Sequence, residues 1–328
     1  MKLKEKILET IALAGGDYVS GEQLAAASGV SRNAVWKAIK SLENEGFIFD
    51  AVSGTGYRLS PHSNRLSREI ITAGLDTECF GRNMIVLSET DSTNNTAKEL
   101  AADGAVHGTA VIADRQTAGK GRLGRSFVSP AGKGVYISVI IRPDISVDAA
   151  QLITSCAACA AASAVEELCG SFVNIKWVND LYMNGRKICG ILTEASLSLE
   201  NNSLDYAVIG IGINVYPAED CFDEELKSRV SSIEAESGVK ISRNQLCSLL
   251  LNRLEEYLSG IEIRSFLEDY RRRELLTGNM ITASYGGETI TGKAAGIDNN
   301  GSLILEMPDG TVKTISSGEA NLCRIKKD

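Results

Sequence analysis

Apolar positions in the first sixty residues recur at helical spacing. Leu3, Ile7, Leu8 and Ile11 fall on one face of a helix over 3–14, and Gly15-Gly16 ends it. Ser20 and Gln23 have the spacing of a capping box, which predicts a short helix through Ser28. Gly29 turns the chain. Ser31 then caps a helix through Glu45 with Val35, Ile39 and Leu42 inward, and Gly46 stops it. Phe47–Val52 and Tyr57–Leu59 predict two strands joined by Ser53-Gly-Thr-Gly56. That order predicts a helix-turn-helix followed by a β-wing. Its second motif helix turns Arg32, Asn33, Lys37 and Lys40 away from the apolar stripe, with Ser31 at its start and Arg58 on the wing. Such side chains reach base edges and phosphates. The alternative is a small protein-interaction module with a solvated polar face.

Residues 1–60 thus form one predicted unit, and 61–66, within Ser60-Pro-His-Ser-Asn64 and beyond, a linker. A second unit spans 67–277. Strands are predicted over 84–88, 109–115, 134–141, 172–177, 187–197 and 205–215, with helices over 93–102, 149–169 and 245–259. This is an α+β pattern built on a mixed sheet. From 278 to 328 short strands over 280–285, 288–297, 303–307 and 312–315 alternate with Gly-Gly, Asn-Asn-Gly and Asp-Gly turns, predicting a small β-barrel.

Composition narrows the function classes. The chain of 328 residues is 44% hydrophobic and 23% charged, ordinary for a globular protein with a sizeable core. It has no apolar run long enough for a transmembrane helix, and its start reads as an amphipathic helix and not a signal peptide, so a cytoplasmic protein with no membrane partner is expected. The net charge is −8, but residues 1–65 hold eight Lys/Arg against seven Asp/Glu. The body is therefore no basic nucleic-acid platform, and any DNA contact belongs to the amino-terminal unit. The eight cysteines read as reduced thiols. Cys156 and Cys159 have half the spacing of a zinc site but sit in an Ala-rich run suited to a buried helix, so core packing is the reading.

Five stretches carry chemistry. Gly119-Lys-Gly-Arg-Leu-Gly-Arg125 sets Lys120, Arg122 and Arg125 among glycines, which suits a phosphate or carboxylate; the alternative is a basic surface turn. It matches neither a dinucleotide fingerprint, for no helix pattern follows, nor a P-loop. Lys176-Trp-Val-Asn-Asp180 puts a lysine, an amide and a carboxylate at a turn, where Asn and Asp also serve as turn formers. Lys187 enters an apolar strand through Gly190, as an anion ligand or an edge charge. Gly210 and Gly212 alternate in a strand ending at Asn214, leaving room for a flat ligand or forming a bulge. Asp91-Ser-Thr-Asn94 caps a helix and offers extra hydroxyl and amide groups.

Taken in order and spacing, these motifs resemble the biotin protein ligases, in particular the bifunctional biotin ligase/biotin operon repressors, over essentially the whole chain. The resemblance implies a class II synthetase-like catalytic domain and an SH3-like terminal β-barrel. It implies that Ser92, Thr93, Asn94 and Gln116 bind biotin, together with Gly119, Lys120, Arg122, Lys187, Gly190, Gly210 and Gly212. It implies ATP contacts from Arg122, Arg125, Lys176, Asn179, Lys187 and Asn214, with Mg²⁺ arriving on the nucleotide and no resident metal. Arg122, Lys187 and Asp180 are the implied catalytic groups, Asp180 for the incoming lysine amine. The implied partners are a biotin carboxyl carrier domain, operator DNA and, with the adenylate bound, a second copy of the chain. Lys120, Leu123 and Val178 depart from the commoner arginine, polar residue and proline of the family. The segment after Asn214 matches poorly, leaving Phe222 and 230–233 as its adenine-covering candidates. A catalytically inactive biotin-sensing repressor, a lipoate ligase and a nucleotide-binding interaction module are the competing functions.

Overall fold

The structure, a computed structural model, describes residues 2–143, 145, 147–198 and 203–323; the last five residues of the expected terminal unit lie outside it. Helices α1 (Leu3–Leu13), α2 (Gly21–Ser28) and α3 (Arg32–Asn44) precede a hairpin of β1 (Phe49–Val52) and β2 (Gly56–Leu59). The expected capping box forms: the Gln23 N–H donates to Ser20 Oγ at 3.1 Å, and the Ser20 N–H to Gln23 Oε1 at 2.8 Å. Ile7, Leu8, Ile11, Leu24, Val35, Ile39, Leu42 and Phe47 fill the core of this unit. Phe47 belongs to that core, so the strand expected from it starts at Phe49. The wing is clamped to the helices by reciprocal bonds between Val19 and Tyr57. Gly56 sits at φ +138°, where a Cβ would collide with the Val19 carbonyl.

Residues 60–66 are anchored at several points, with Pro61, His62 and Arg65 exposed between them. Ser60, Ser63 and Leu66 are buried. Asn64 donates to the Gly132 carbonyl at 2.9 Å and accepts from Arg243 at 2.7 Å, while Asn244 donates to the Arg65 carbonyl at 2.9 Å. Helix α4 (Arg68–Ala73), too short to leave a period in the sequence, follows and packs on α1.

The body is a seven-stranded mixed sheet. Its strands are β3 (Met84–Leu87), β4 (Ala110–Ala113), β5 (Gly134–Ile141), β6 (Asn174–Lys176), β7 (Asp180–Met183), β8 (Arg186–Ser198) and β9 (Ser203–Asn214), ordered β3-β4-β5-β9-β8-β7-β6. Only the β3–β4 pair is parallel. Helix α5 (Thr93–Ala102) lies on one face. After the short α6 (Val147–Ala150), α7 (Ile153–Cys169) covers the other face; the long helix expected from residue 149 is broken there. Beyond α8 (Glu224–Lys227) and α9 (Ile233–Ser237), α10 (Arg243–Ser259) packs on α7, followed by α11 (Leu267–Arg273).

Alternation sorts the sheet into two chemistries. Val135, Ile137, Val139 and Ile141 of β5, with Ala207, Ile209, Ile211 and Ile213 of β9, join the main core under α7 and α10. The intervening residues, Tyr136 and Ser138, then Gly210, Gly212 and Asn214, face the opposite way. There α5 makes only a small apolar cluster of Ala97, Ala101, Val111, Ile140 and Val208. Cys156 and Cys159 are buried in α7, and burial drives their thiols far above the ordinary range, the reverse of what a thiolate ligand needs.

Strands β10 (Met280–Tyr285), β11 (Glu288–Ile297), β12 (Leu303–Glu306), β13 (Val312–Ile315) and β14 (Glu319–Leu322) form an antiparallel sheet ordered β13-β12-β11-β10-β14. The Trp177 indole N–H donates to the Gly301 carbonyl at 3.0 Å, tying this sheet to the body. β14, a four-residue strand after Ser-Ser-Gly, carries too little pattern to be seen in the sequence.

Candidate functional site

The start of α5 builds the first end of the site. Ser92, Thr93 and Asn94 are buried at the helix N-terminus. The Thr93 N–H and hydroxyl both donate to Gln116 Oε1, at 2.8 and 3.1 Å. Gln116 Nε2 donates to Ser129 Oγ at 2.8 Å. Ser138, from the middle of an apolar strand, places its Oγ 2.6 Å from Asn94 Oδ1 and 2.8 Å from Thr93 Oγ1. Asn94 Nδ2 donates to Glu194 Oε2 at 2.8 Å, and Lys98 pairs with the other oxygen of Glu194 at 2.7 Å. Burial works to raise the Glu194 carboxyl, but the bonds from Lys98 and Asn94 outweigh it and hold the group below its ordinary value. The Ser92 hydroxyl, by contrast, has no hydrogen-bond partner among the described residues. The result is a fixed polar wall with one free hydroxyl.

The missing side chains of three glycines shape the space beside this wall. A Cβ on Gly210 would strike the Asn94 carboxamide, so this glycine makes room for Asn94 and not directly for a ligand. Over Gly212 and Gly190 lies the Phe127 ring, whose nearest atoms would stand 2.5 and 3.4 Å from a Cβ at those positions. Phe127 also meets Tyr136 edge-on, with centroids 6.4 Å apart. Phe127, Ser129, Ser138 and Glu194 escaped the sequence reading. Ser138 left a signal, a lone polar residue at alternate spacing within 134–141; the others acquire their place only through the loop and the sheet register.

The loop over 116–129 is closed by bridges between Gln116 and Ser129 and between Lys120 and Ser126. At its tip Leu123 takes φ +56° and is 74% exposed, so this apolar residue is held in the left-handed region without burial in return. The loop's cations diverge. Lys120 turns back to Asn95 on α5 at 2.6 Å. Arg122 reaches Asn179 Oδ1 at 3.1 Å and the Gly318 carbonyl at 2.9 Å. Arg125 makes a two-pronged pair with Glu319 at 2.9 and 2.7 Å. On the neighbouring strands Lys187 Nζ lies 2.6 Å from Asp180 Oδ1, and Lys176 donates to Asn321 Oδ1 at 2.6 Å. Burial lowers the Lys176 ammonium below the ordinary lysine value despite the opposing pull of Asp180 and Glu319. Asn214 is buried and donates to the Ser231 carbonyl at 3.0 Å.

The structure therefore brings Arg122, Asn179, Asp180 and Lys187 into one cluster, with Arg125 and Lys176 beside it against β14. Lys120 stands apart at α5. Glu319 and Asn321 of the terminal sheet, unmarked in the sequence, hold the two outer cations. Hydrogen bonds from Arg125 lower the Glu319 carboxyl. Nothing in the described residues forms a cage of three or more metal-binding side chains. A separate cavity of about 780 Å³, lined in part by Thr77, Phe80, His107, Leu249 and Glu255, shares none of these groups.

The chain as a whole is similar to proteins of one family. The chain is 38% identical to the bifunctional ligase/repressor BirA of Bacillus subtilis over 326 residues, covering 98% of each chain. This chain belongs to the biotin protein ligase family. It is 32% identical to the Escherichia coli bifunctional ligase/repressor BirA over 318 residues, covering 96% of each. The model of the biotin/lipoate A/B protein ligase family matches residues 86–214, an HTH domain matches 4–58, and the biotin protein ligase C-terminal domain matches 277–322. Among solved structures, the Aquifex aeolicus biotin protein ligase in complex with biotin and ATP is similar at TM-score 0.64 and 32% identity, covering 74% of this chain and 99% of that one. Within the segment that the HTH domain matches, the DNA candidates divide. Arg32, Asn33 and Lys37 are exposed, and their side chains make no ion pair or hydrogen bond among the described residues. Ser31 is spent capping α3, Lys40 pairs with Glu43, and Arg58 pairs with Asp50 and lies over the Tyr18 ring.

Proposed function

We propose that this chain is an ATP-dependent biotin protein ligase that also represses transcription as a DNA-binding protein. One observation carries the ligase half. Asn94 of the Ser92–Thr93–Asn94–Gln116 wall lies against Gly210, and Lys187 of the cation cluster lies beside Gly190, with Gly212 and the Phe127 ring between these two ends. A ligand with a hydrogen-bonding ring at one end and a carboxylate at the other fits that polarity, as biotin does.

In the first step a biotin carboxylate oxygen attacks the α-phosphorus of ATP, the bond to the bridging oxygen breaks, and pyrophosphate leaves. Two anions meet, so cations must offset their repulsion and the charge on the transferring group. Arg122 and Lys187 do this. Arg125, Lys176, Asn179 and Asn214 hold the nucleotide, whose Mg²⁺ arrives on its phosphates. Ser92, Thr93, Asn94 and Gln116 orient the ring of biotin, with Gly210 acting through Asn94. Gly190 and Gly212 leave the flat space that the Phe127 ring covers, Gly119 lets the loop close on Phe127 and Ser129, and Lys120 lies on the α5 side. In the second step a carrier-domain lysine amine attacks the acyl carbon of the adenylate, loses its proton and displaces AMP. Asp180, paired with Lys187, orients that amine and takes the proton.

In the repressor half, Arg32, Asn33 and Lys37 address DNA, joined by Lys40 and Arg58 when their partners release them, with Ser31 setting the start of α3. The adenylate orders the 119–125 loop and favours a homodimer, so that two winged helices meet two half-sites in the cytoplasm.

Purified protein incubated with biotin, Mg·ATP and a carboxylase carrier domain should release pyrophosphate and add one biotin to the carrier. Arg122→Gly should lose adenylate formation by at least about a hundredfold. No adenylate from the wild type would leave the inactive-sensor reading. Faster turnover with lipoate than with biotin would replace the substrate.

A further inference from the structure

The chain has two tryptophans, and they are treated in opposite ways. Trp177 is 3% exposed, and its indole N–H is paired with a carbonyl. Trp36 is 50% exposed, and neither its ring nor its N–H has a partner among the described residues. An indole left in water keeps a large apolar face unburied.

Its position restricts the explanations. Val35, Ala38, Ile39 and Leu42 are the buried stripe of α3, so Trp36 lies on the opposite side. With 3.6 residues per turn, Arg32, Asn33, Trp36 and Lys37 share that side. The core of a patch meant for another protein is expected to be depleted of charged residues, lysine among them. Here the ring is flanked by two unpaired cations and an amide. The complementary surface is a strong polyanion with small apolar spots within it. Duplex DNA has that form: phosphates line both walls of the major groove, and the thymine C5-methyl is the apolar group on the base edges.

We propose that Trp36 is a specificity-determining residue that reads a thymine methyl group in the major groove. Arg32 and Lys37 hold the helix on the flanking phosphates, and Asn33 is free for a base edge. This deepens the DNA-binding reading and rests on it. The cations supply sequence-independent affinity; Trp36 supplies preference for thymine at the base pair beneath the middle of the exposed face.

Wild-type protein with biotin and Mg·ATP is used to enrich duplexes from a random-sequence library. The enriched duplex is then remade with deoxyuridine in place of thymine, one position at a time. One thymine per half-site is expected whose methyl removal weakens wild-type binding roughly fourfold, the value of one buried methyl. Trp36→Ala is expected to bind the thymine and deoxyuridine forms equally, and Trp36→Phe to keep part of the difference. Alanine suits an exposed helical position, so the melting curve should stay in place; should the variant fail to fold, the deoxyuridine series on the wild type alone still decides. A wild type indifferent to deoxyuridine everywhere, or a Trp36→Ala variant with the full penalty, overturns the inference and leaves DNA binding standing. Enrichment of no sequence, with Arg32→Ala without effect, overturns both.

Discussion

The two faces of the seven-stranded sheet are made from alternate residues of the same strands, and they obey different rules. Under α7 and α10, Ile209, Ile211 and Ile213 meet other apolar side chains, and many combinations of similar volume would serve. On the α5 face, Gly210 must stay bare for Asn94, Gly212 for Phe127, and Ser138 must meet two partners at once. One face tolerates substitution in kind and resists loss of volume. The other tolerates loss of little and gain of nothing.

Adjacent substitutions on β9 test this division. Ile211→Ala should show the largest effect on stability, roughly 2–5 kcal/mol in denaturant melts, with biotin affinity of the folded fraction unchanged. A large affinity change there would mean that the faces are coupled. Gly210→Ala should do the reverse. Its methyl displaces Asn94 from Ser138 and Glu194, so biotin affinity should fall by about 10- to 100-fold, as expected for one or two buried hydrogen bonds. Its melting point should drop less than that of Ile211→Ala. An unchanged biotin Kd in this variant would remove Asn94 from the pocket.

A smaller effect is expected at Lys176. Because burial lowers its ammonium, charge there is lost at lower pH than for a free lysine. ATP affinity should decline as pH rises through that lowered value, and Lys176→Arg, which keeps its charge, should move the decline upward. Coincident profiles would remove Lys176 from the nucleotide site. Glu319→Gln should give the smallest change. Arg125 is 66% exposed in this pair, so stability should move by about 1 kcal/mol or less. Freed of its internal anion, Arg125 should bind ATP slightly better. A raised KM for ATP would show instead that Glu319 positions the arginine.

The winged helix was largely legible because its evidence is local. Capping residues, helical periodicity and a glycine turn all act within a few positions, and each forms as read. The body was legible as strands and long helices, less so at α4, α11, β7 and β14, which are too short to carry a period. The candidate site was legible where motifs cluster: at 92–94, at 119–125, at 176–180 and at Lys187. Phe127, Glu194, Glu319, Asn321 and Trp36 were not. Each is ordinary in its own neighbourhood and becomes significant through a residue far away in the chain or through an exposure that only packing reveals.

By itself the sequence determined which segments fold as helix or strand, which residues supply cations and hydroxyls, and that the amino-terminal unit differs in kind from the body. These depend on hydrophobic period, capping and turn chemistry, all short-range. The tertiary structure alone decided which cations meet which acceptors. Strand register places Gly210 under Asn94, chain return brings β14 to Arg125 and Lys176, and α10 pins residues 64 and 65. Those pairings join residues far apart in sequence, and no local pattern encodes the distance between them.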